Sequence, residues 1–577
     1  MSQSFEIEDR PAATVGAQGG PPPGEDESVA PRSRRRPAWR TFTLPGAWGA
    51  LILACLSFTP SLLPRGGVAQ GVICGATGAI GYGLGVWVAS IWRAFADRSA
   101  RPARPRSWRV FAVCAAVLLV VSFALGQYWQ AQIRALMGGI EYNLAYVVAS
   151  PLVAVLVFLL LVQIGRGLRW LYRGAARVLR RWIGPRGAAA VGWIAVVTVT
   201  YLVVTGVLLD GLVTAANEAF SVRDTTTADG VNPPATALRS GGPGSLVPWD
   251  TLGWQGRTFT GLGPSAADIE KLVHRPAKEP VRAYVGLASA DGAEAQAKLA
   301  VQELEHAGGF ARKNLMVVTT TGSGWINAAS ADTFEYLSGG DSAIVGMQYS
   351  YLPSWISYLV DQSKARDAGR ELFDAVYDRW SQLPAASRPR LFVSGESLGS
   401  FGGEAAFSGE YDLRNRTAGA VFAGPPNFNT LFTQFREGRD AGSPETEPVF
   451  RDGRTVRFTN DATTAIPPAG QPWDGSRVLY LMHPSDPIVW WSPRLVLNPP
   501  DWTAETHGKD VLDGIIWLPF VTFWQVTGDL TFAAGVPSGH GHTYKTEYVD
   551  AWNTVLRPEG ITTEELATLR TVVAAIP

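Results

Sequence analysis

Five apolar stretches in the first 215 residues constrain this chain more than any other feature. Each is about 18 to 26 residues long, which suits a helix rising 1.5 Å per residue through a hydrocarbon core about 30 Å thick. The sequence therefore predicts an α-helical transmembrane domain of about five spans over residues 41–215. The first two stretches contain prolines and many glycines and are weaker, and a re-entrant segment is the alternative for one of the five. The stretches cover residues 44–63, 67–92, 110–127, 145–165 and 190–213.

The arginines of this half predict its orientation. Residues 1–215 contain 21 Arg, no Lys and nine acidic residues, a net charge of about +12, although the whole chain is neutral. Most of these arginines lie in the tail at 1–40 and in the loops at 93–109 and 166–186. Cytoplasmic loops concentrate Lys and Arg, so we expect all three segments in the cytoplasm. Because topology accounts for the arginines, we expect no nucleic-acid partner.

Residues 1–40 are rich in Pro, Gly, Glu and Ser, a composition that predicts a disordered tail. The charges of this tail precede a long apolar stretch that looks retained, unlike a cleaved signal peptide. Hydrophobic residues make up 46% of the chain and charged residues only 17%, which is too apolar for an ordinary soluble enzyme of this size. We therefore predict a multi-pass cell-membrane protein with a cytoplasmic N-terminus. An odd number of spans places the C-terminal half outside the cytoplasm.

The C-terminal half has a different pattern. Residues 216–250 turn polar and rich in Gly and Pro, which predicts a linker or a segment on the membrane surface. Over residues 251–577, short β-rich runs alternate with helical patterns, as in a mostly parallel sheet covered by helices. Ligands bind such sheets at the carboxyl ends of the strands, so the chemistry is expected there. The expected strands are 283–287, 315–320, 343–347, 391–394, 418–423 and 478–482, and the expected helices are 293–306 and 368–380.

A G-x-S-x-G motif follows one of these strands. Gly395-Glu396-Ser397-Leu398-Gly399 comes directly after the strand at 391–394 and before a helical pattern. In this context a tight turn lifts the serine hydroxyl above the sheet, and the flanking glycines relieve crowding between strand, turn and helix. Ser397 is therefore the candidate nucleophile. The alternative is a glycine-rich turn with a capping serine.

An acid and then a histidine are expected later in the chain to activate this serine. Asp486 follows the strand at 478–482 and is the candidate acid, although a turn-capping role beside Pro487 is the alternative. His540 and His542 lie in a glycine-rich loop near the C-terminus, and we favour His542 as the base while keeping His540 open.

The same two histidines raise the question of a metal site. They stand at positions i and i+2 without a nearby Cys or acidic cluster, which makes an incomplete metal site. The three cysteines, Cys55, Cys74 and Cys114, all lie in apolar stretches of the first half, where helix packing is the expected role. We therefore expect no metal and no cofactor.

The developing oxyanion needs two backbone donors. The N–H of Leu398 comes with the serine turn, and the second donor is expected from the loop after an earlier strand. Thr321 and Gly322 follow the strand at 315–320 and are the candidates. The alternative for that loop is an ordinary βα turn.

Several segments resemble a family of bacterial, chiefly actinobacterial, α/β-hydrolases that join an N-terminal multispan membrane domain to a C-terminal catalytic domain. The likeness covers nearly the whole chain except the tail. It implies an α/β-hydrolase fold and a triad that matches Ser397, Asp486 and a histidine of the final pair. The segments that carry it are residues 57–65, 321–325, 348–355, the Ser397 motif, 483–487 and the histidine pair.

These observations predict an exterior-facing esterase, lipase or acyl-transferring serine enzyme. Aromatic and bulky apolar residues at 348–355, 488–491 and 515–524 suit an acyl pocket or a membrane-facing lid, so we expect a lipidic ester and membrane lipids as partners. Core packing is the alternative for those residues.

Two functions of another class are the alternatives: a transport-associated membrane protein whose hydrolase-like domain only binds ligand, and an assembly scaffold. Few charges lie inside the five stretches, which argues against an ion pathway.

Overall fold

The computed structural model describes residues 42–99, 102–139, 145–360, 362–464 and 466–576. The predicted tail at 1–40 lies outside the described residues. Residues from Thr43 onward form one compact unit, in which an N-terminal group of helices precedes a single sheet. The N-terminal helices are α1 (Leu44–Leu56), α2 (Gly67–Phe95), α3 (Pro105–Leu136), α4 (Ala145–Val203) and α5 (Asp210–Asp224), and a π-helical stretch, Val204–Leu209, joins the last two.

These five helices, with the loops between them, are called the helical domain below. Within the described part of the chain, three helical runs are long and apolar enough to cross a membrane. They are α2, α3 and the continuous run Val147–Asp224. The apolar composition of this half is therefore matched by apolar helices, although α1 is too short to be counted with them.

The run that begins with α4 folds back on itself. Gly184 has φ 70° and ψ 172°, which is not a helical conformation and separates two helices. The rings of Tyr172 and Trp193 stack at 4.7 Å, so the arms before and after Gly184 lie side by side. The predicted spans at 145–165 and 190–213 are the two arms. The segment at 166–186, expected to be a loop, is instead helical up to the break.

The first helix differs from the prediction. We expected a span over residues 44–63, but α1 ends at Leu56 and its 13 residues reach only about 20 Å. Pro60 and Pro64 lack the N–H that a continuing helix needs, which accounts for the early end. Residues 57–66 leave the helix as an irregular segment that is largely buried.

The region predicted as a linker at 216–250 also has structure. Helix α5 continues through its first part to Asp224. Further on, the backbone runs beside the first strand: Arg282 N–H donates to Leu238 O at 3.0 Å, and Ser240 N–H donates to Arg282 O at 2.9 Å. This part of the chain therefore lies against the edge of the sheet.

Seven parallel strands form that sheet, in the order β1-β3-β2-β4-β5-β7-β6. Almost every strand residue is buried, as expected for a parallel sheet that is covered on both faces. The strands are β1 (Val281–Val285), β2 (Asn314–Thr319), β3 (Ser342–Met347), β4 (Arg390–Glu396), β5 (Gly419–Ala423), β6 (Val456–Thr459) and β7 (Arg477–Leu481).

Two groups of helices cover the sheet. Helix α11 packs between α8 and α12; α11 and α12 contact β2, and α8 contacts β1 and β3. On the other side, α9, α17 and α18 pack together, with α17 against β5 and β7. The helices are α6 (Gly253–Gly261), α7 (Ala266–Val273), α8 (Ala293–His306), α9 (Ala328–Leu337), α10 (Ser354–Val360), α11 (Gln362–Ser381), α12 (Leu398–Glu404), α13 (Glu410–Arg416), α14 (Thr430–Glu437), α15 (Pro487–Trp490), α16 (Val521–Asp529), α17 (Glu547–Leu556) and α18 (Thr563–Ala574).

The predicted elements of this half agree with the structure to within a few residues. The helix expected at 293–306 has the same bounds as α8, and the helix expected at 368–380 is the C-terminal part of α11. The six expected strands correspond to β1 to β5 and β7. The edge strand β6 was not predicted, because the polar residues Arg457 and Thr459 interrupt its apolar run.

Candidate active site

Ser397 stands on a sharp turn between β4 and α12. Its backbone has φ 55° and ψ −126°, a region that L residues adopt only when the surrounding structure forces it. Strand β4 ends at Glu396 and α12 begins at Leu398, so a single residue reverses the chain from strand to helix. This is the strand-turn-helix geometry that exposes a nucleophile at the carboxyl edge of a sheet.

The two glycines of the motif permit this turn. A Cβ on Gly395 would overlap the backbone of Gly399, and a Cβ on Gly399 would overlap the carbonyl oxygen of Thr319 at the end of β2. Helix α12 can therefore approach β4 and β2 this closely only because neither position carries a side chain.

Ser397 and His542 both lie against the backbone at the end of β5. Ser397 N–H donates to Ala423 O at 2.9 Å. The next residue, Gly424, has φ 52°, and a Cβ there would overlap the His542 imidazole. The ring therefore lies directly on the backbone that follows the hydrogen-bond partner of Ser397.

Asp486 holds this imidazole by its other side. The residue follows β7, its side chain is fully buried, and its Oδ2 lies 2.7 Å from His542 Nδ1. Tyr544 Oη donates to the same oxygen at 2.8 Å, and Ile488 N–H donates to Oδ1 at 2.9 Å. Both carboxylate oxygens are thus fixed, which fixes the plane of the ring that they face.

The pKa of His542 is raised above its ordinary value of 6.5. Burial of the ring alone would lower that pKa. The Asp486 carboxylate, through its charge and its hydrogen bond, and the charge of Glu396 together outweigh burial and favour the protonated ring.

The two histidines of the loop contact different carboxylates. His540 Nδ1 lies 3.2 Å from Asp510 Oδ2, whereas His542 contacts Asp486. Ser485 links the two pairs, because its hydroxyl donates to Asp510 and accepts the Gly541 N–H at 2.8 Å. The histidines therefore do not converge on one point. Among the described residues, no group of three or more His, Cys, Asp and Glu side chains is arranged to hold a metal ion.

His483 is a supporting residue that the sequence did not single out for function. Its Nδ1 donates to Gly541 O at 2.8 Å, its Nε2 lies 3.5 Å from Glu547, and its ring stacks on Tyr544 with centroids 4.2 Å apart. Burial acts to lower the pKa of His483, but the Glu547 carboxylate raises it above the ordinary value. This buried ring therefore fixes the loop that carries His540 and His542, through its hydrogen bond to Gly541 and its stacking on Tyr544.

Glu396, next to the nucleophile, is a second residue that sequence reasoning missed. The Asn327 amide donates to its carboxylate at 2.6 Å and the Tyr548 hydroxyl donates at 2.7 Å. Burial raises the pKa of Glu396, while the charge of His542 acts in the opposite direction. Its position inside the G-x-S-x-G motif was the available signal, because that residue must lie close to the nucleophile.

The three oxyanion candidates, Leu398, Thr321 and Gly322, differ in the surroundings of their backbone N–H groups. Leu398 is the first residue of α12, where backbone N–H groups have no acceptor within the helix. Thr321 N–H donates to Trp325 O at 3.0 Å inside a turn, so that group is already engaged. Gly322 lies in the same turn with φ 25° and packs against the backbone of Leu352 and Ser354.

A seven-stranded parallel sheet with a serine turn after β4, an acid after β7 and a late histidine defines an α/β-hydrolase domain. Residues 281–569 match the α/β-hydrolase family, and residues 58–264 match the N-terminus of an α/β-hydrolase family. The chain therefore belongs to the α/β-hydrolase family, which indicates a hydrolase. No curated protein and no solved structure gives a match.

The electrostatics of the site predict how His542 titrates. In Asp486→Asn the pKa of His542 should fall, because the charge that favours the imidazolium is gone and burial of the ring remains. NMR titration of protein labelled with ¹⁵N in its six histidines measures this. The contribution of the pair to stability should be complete below the ordinary pKa of 6.5 and be lost as pH rises through the folded-state pKa.

The matched control is Asp510→Asn, which removes the carboxylate beside His540. It should leave the titration of His542 in place. An unchanged His542 titration in Asp486→Asn would contradict the assignment of the pair.

Proposed function

We propose that this protein is a membrane-embedded serine hydrolase, of the esterase, lipase or acyl-transferring type, that cleaves a lipidic ester through an acyl-Ser397 intermediate. The observation that carries the proposal is the 2.7 Å contact between Asp486 and His542 beside a serine held at positive φ. A buried carboxylate on Nδ1 leaves Nε2 of the imidazole for a proton from the serine.

The proposed reaction uses these groups in sequence. Ser397 Oγ attacks the ester carbonyl carbon while His542 Nε2 takes the hydroxyl proton, and Asp486 stabilises the imidazolium that forms. The N–H groups of Leu398 and Gly322 donate to the oxyanion, since Thr321 N–H is engaged elsewhere. The tetrahedral intermediate then expels the alcohol, which takes the proton from His542, and water or a second alcohol releases the acyl group from Ser397.

A series of aromatic rings supports an acyl substrate. It begins at Phe401, one helical turn after Ser397, and each ring centroid lies 4.9 to 5.9 Å from the next. The rings come from α10, α12, α16, the loop after β5 and the residue after α15, so elements distant in sequence form one series that starts near the nucleophile. Such a wall offers apolar surface to an acyl chain. Its members in order are Phe401, Phe428, Tyr358, Trp491 and Phe523.

The membrane topology is part of the proposal. Three helical runs suited to crossing a membrane, together with the arginine-rich segments at 93–109 and 166–186, favour an arrangement in which these segments are cytoplasmic. The hydrolase domain then lies outside the cytoplasm, and the ester belongs to the cell envelope. The short α1 and the break at Gly184 are compatible with five apolar passes or with fewer crossings and a re-entrant segment.

Labelling with a fluorophosphonate probe tests the catalytic proposal. The wild-type protein should form one adduct on Ser397, and Ser397→Ala should form none. Asp486→Asn should slow labelling by about 10³ to 10⁴, because the imidazole loses its orientation and its counter-charge. His542→Ala should lose nearly all labelling, while His540→Ala, which leaves the Asp486 contact intact, should retain most of it. A wild-type protein that reacts at no serine would favour a ligand-binding or scaffold role.

Acyl-chain preference tests the substrate class. With aryl esters of increasing length, kcat/KM should rise from acetyl to octanoyl, because each buried methylene contributes about 0.8 kcal/mol. Phe428→Ala shortens the aromatic series and should reduce the octanoyl-to-acetyl ratio by about tenfold. The control Tyr411→Ala removes a ring that is 82% exposed and should leave the ratio unchanged. A ratio that Phe428→Ala does not change would place the acyl group elsewhere.

Orientation can be measured with single cysteines, since the hydrolase domain has none of its own. Ala441→Cys, on an exposed loop of that domain, should react with a membrane-impermeant maleimide in intact cells. Ser99→Cys, exposed between α2 and α3, should react only after lysis. The unsubstituted protein reports the background of Cys55, Cys74 and Cys114. The reverse pattern would contradict the proposed topology.

A further inference from the structure

The segment between α1 and α2 is buried although it has no regular secondary structure. Over residues 57–66, the side chains of Ser57, Leu62 and Leu63 are fully buried, and Arg65 is 3% exposed. Residues 62 and 63 belong to the same hydrophobic core as the strands of the sheet. This part of the helical domain, called the 57–66 segment below, is therefore packed as an integral part of the hydrolase domain.

Asp529, the last residue of α16, receives this segment. Arg65 Nε lies 2.7 Å from its Oδ1 with both side chains fully buried, and Leu62 N–H donates to its Oδ2 at 3.1 Å. The hydroxyl of Ser61 donates to the same oxygen. A buried carboxylate with three donors from one short stretch fixes the end of α16 against that stretch.

Arg65 also connects this contact to the long apolar helices. Its Nη1 donates to Gln70 Oε1 on α2 at 3.0 Å, and its backbone N–H donates to Gln130 Oε1 on α3 at 2.9 Å. On the other side, Gln525 of α16 donates to Thr59 O at 3.0 Å. The helical domain and α16 are therefore held together by hydrogen bonds between buried polar groups.

The chain passes from this contact directly to the catalytic histidine. A short helical turn, Leu530–Phe532, follows Asp529, and the next residue, Ala533, accepts the His542 N–H at 2.7 Å. The side chain of Leu63 lies 3.3 Å from the point where a Cβ of Gly541 would stand. Leu63 thus packs against Gly541, the residue immediately before His542. Gly541 has φ 50°, and Val536 and Ala533 also lie close to the position where its Cβ would stand.

We propose that the 57–66 segment is a positioning element for His542, so that the helical domain completes the catalytic site as well as anchoring it. This inference rests on the proposed function of His542 as the base. Leu63 packs against the histidine loop, and the Arg65–Asp529 pair fixes the turn to which His542 N–H is bonded. Neither residue touches the reacting atoms, so both act through the position of the imidazole.

Leu63→Ala in the full-length protein is the direct test. It removes the side chain beside Gly541 and leaves every polar contact of Asp529 in place, which avoids an unpaired buried charge. Labelling by the fluorophosphonate probe should show a rate constant at saturating probe about 100-fold lower, as expected for a catalytic group misplaced by about 1 Å. The half-saturating probe concentration and the final extent of labelling should change less than twofold.

Two controls separate positioning from general destabilisation. Leu51→Ala makes the same deletion at a buried site of α1 that is 5% exposed and lies outside the 57–66 segment, and it should label at the wild-type rate. Leu63→Met conserves volume and should recover most of the wild-type rate. If Leu63→Ala fails to fold, Ser61→Ala, which removes one donor from Asp529, should lower the rate constant by about tenfold.

The pH profile adds a readout that a purely structural role would not change. The groups that face the His542 ring are Asp486, Glu396 and Tyr544. A loosened ring moves away from Asp486, so the midpoint of labelling against pH should shift to lower pH in Leu63→Ala.

Wild-type rate and pH midpoint in Leu63→Ala, with wild-type protein labelled at Ser397, would overturn the positioning role alone. Absence of labelling in the wild-type protein would instead overturn the proposed function.

Discussion

The contact between Asp486 and His542 is the interaction on which the site depends. It joins the end of β7 to a loop 56 residues further along the chain, and it places a titrating ring beside the turn that carries Ser397. A buried carboxylate can face an imidazole at 2.7 Å only if its remaining lone pairs are also satisfied. Tyr544 and the Ile488 N–H satisfy them, so the acid is a fixed part of the structure.

The loop that carries His542 has little structure of its own, and its position depends on its neighbours. In the loop after β7, His483 donates to the Gly541 carbonyl and the Ser485 hydroxyl accepts the Gly541 N–H. From the side of the helical domain, Leu63 packs against the same residue. Two elements far apart in the sequence, the loop after β7 and the 57–66 segment, therefore converge on one glycine. This convergence gives a physical reason for an apolar N-terminal half to be joined to a hydrolase domain in one chain.

Much of the hydrolase domain could be predicted from local patterns. Strands buried on both faces appear as short apolar runs, and Gly395 and Gly399 mark the turn because only glycine fits where strand, helix and neighbouring backbone meet. Because the acid and then the histidine are expected after the serine in the chain, the candidates that act with Ser397 are limited to residues that follow it. Local patterns favoured His542 but kept His540 open, since both lie in the same glycine-rich loop. In the structure the two histidines differ because His540 contacts Asp510 and His542 contacts Asp486.

The features that sequence missed depend on contacts between distant residues. Arg65 in an apolar stretch gave no sign of Asp529, 464 residues away, and residues 57–63 looked like the end of a membrane span because they are apolar. Burial inside a protein and burial in lipid select the same residue types, so composition alone does not separate them. The hydrogen bond from Thr321 N–H to Trp325 O, which leaves this group unable to act as an oxyanion donor, likewise depends on backbone geometry that a residue pattern does not show.

The proposed function requires that Ser397 carry the acyl group during turnover. Acid quenching within the first turnover of an activated ester, followed by mass spectrometry of the digested protein, measures this most directly. We expect one acyl group per chain, on the peptide that contains Ser397. An acyl group on another residue, or product release with no acylated peptide at any quench time, would contradict it.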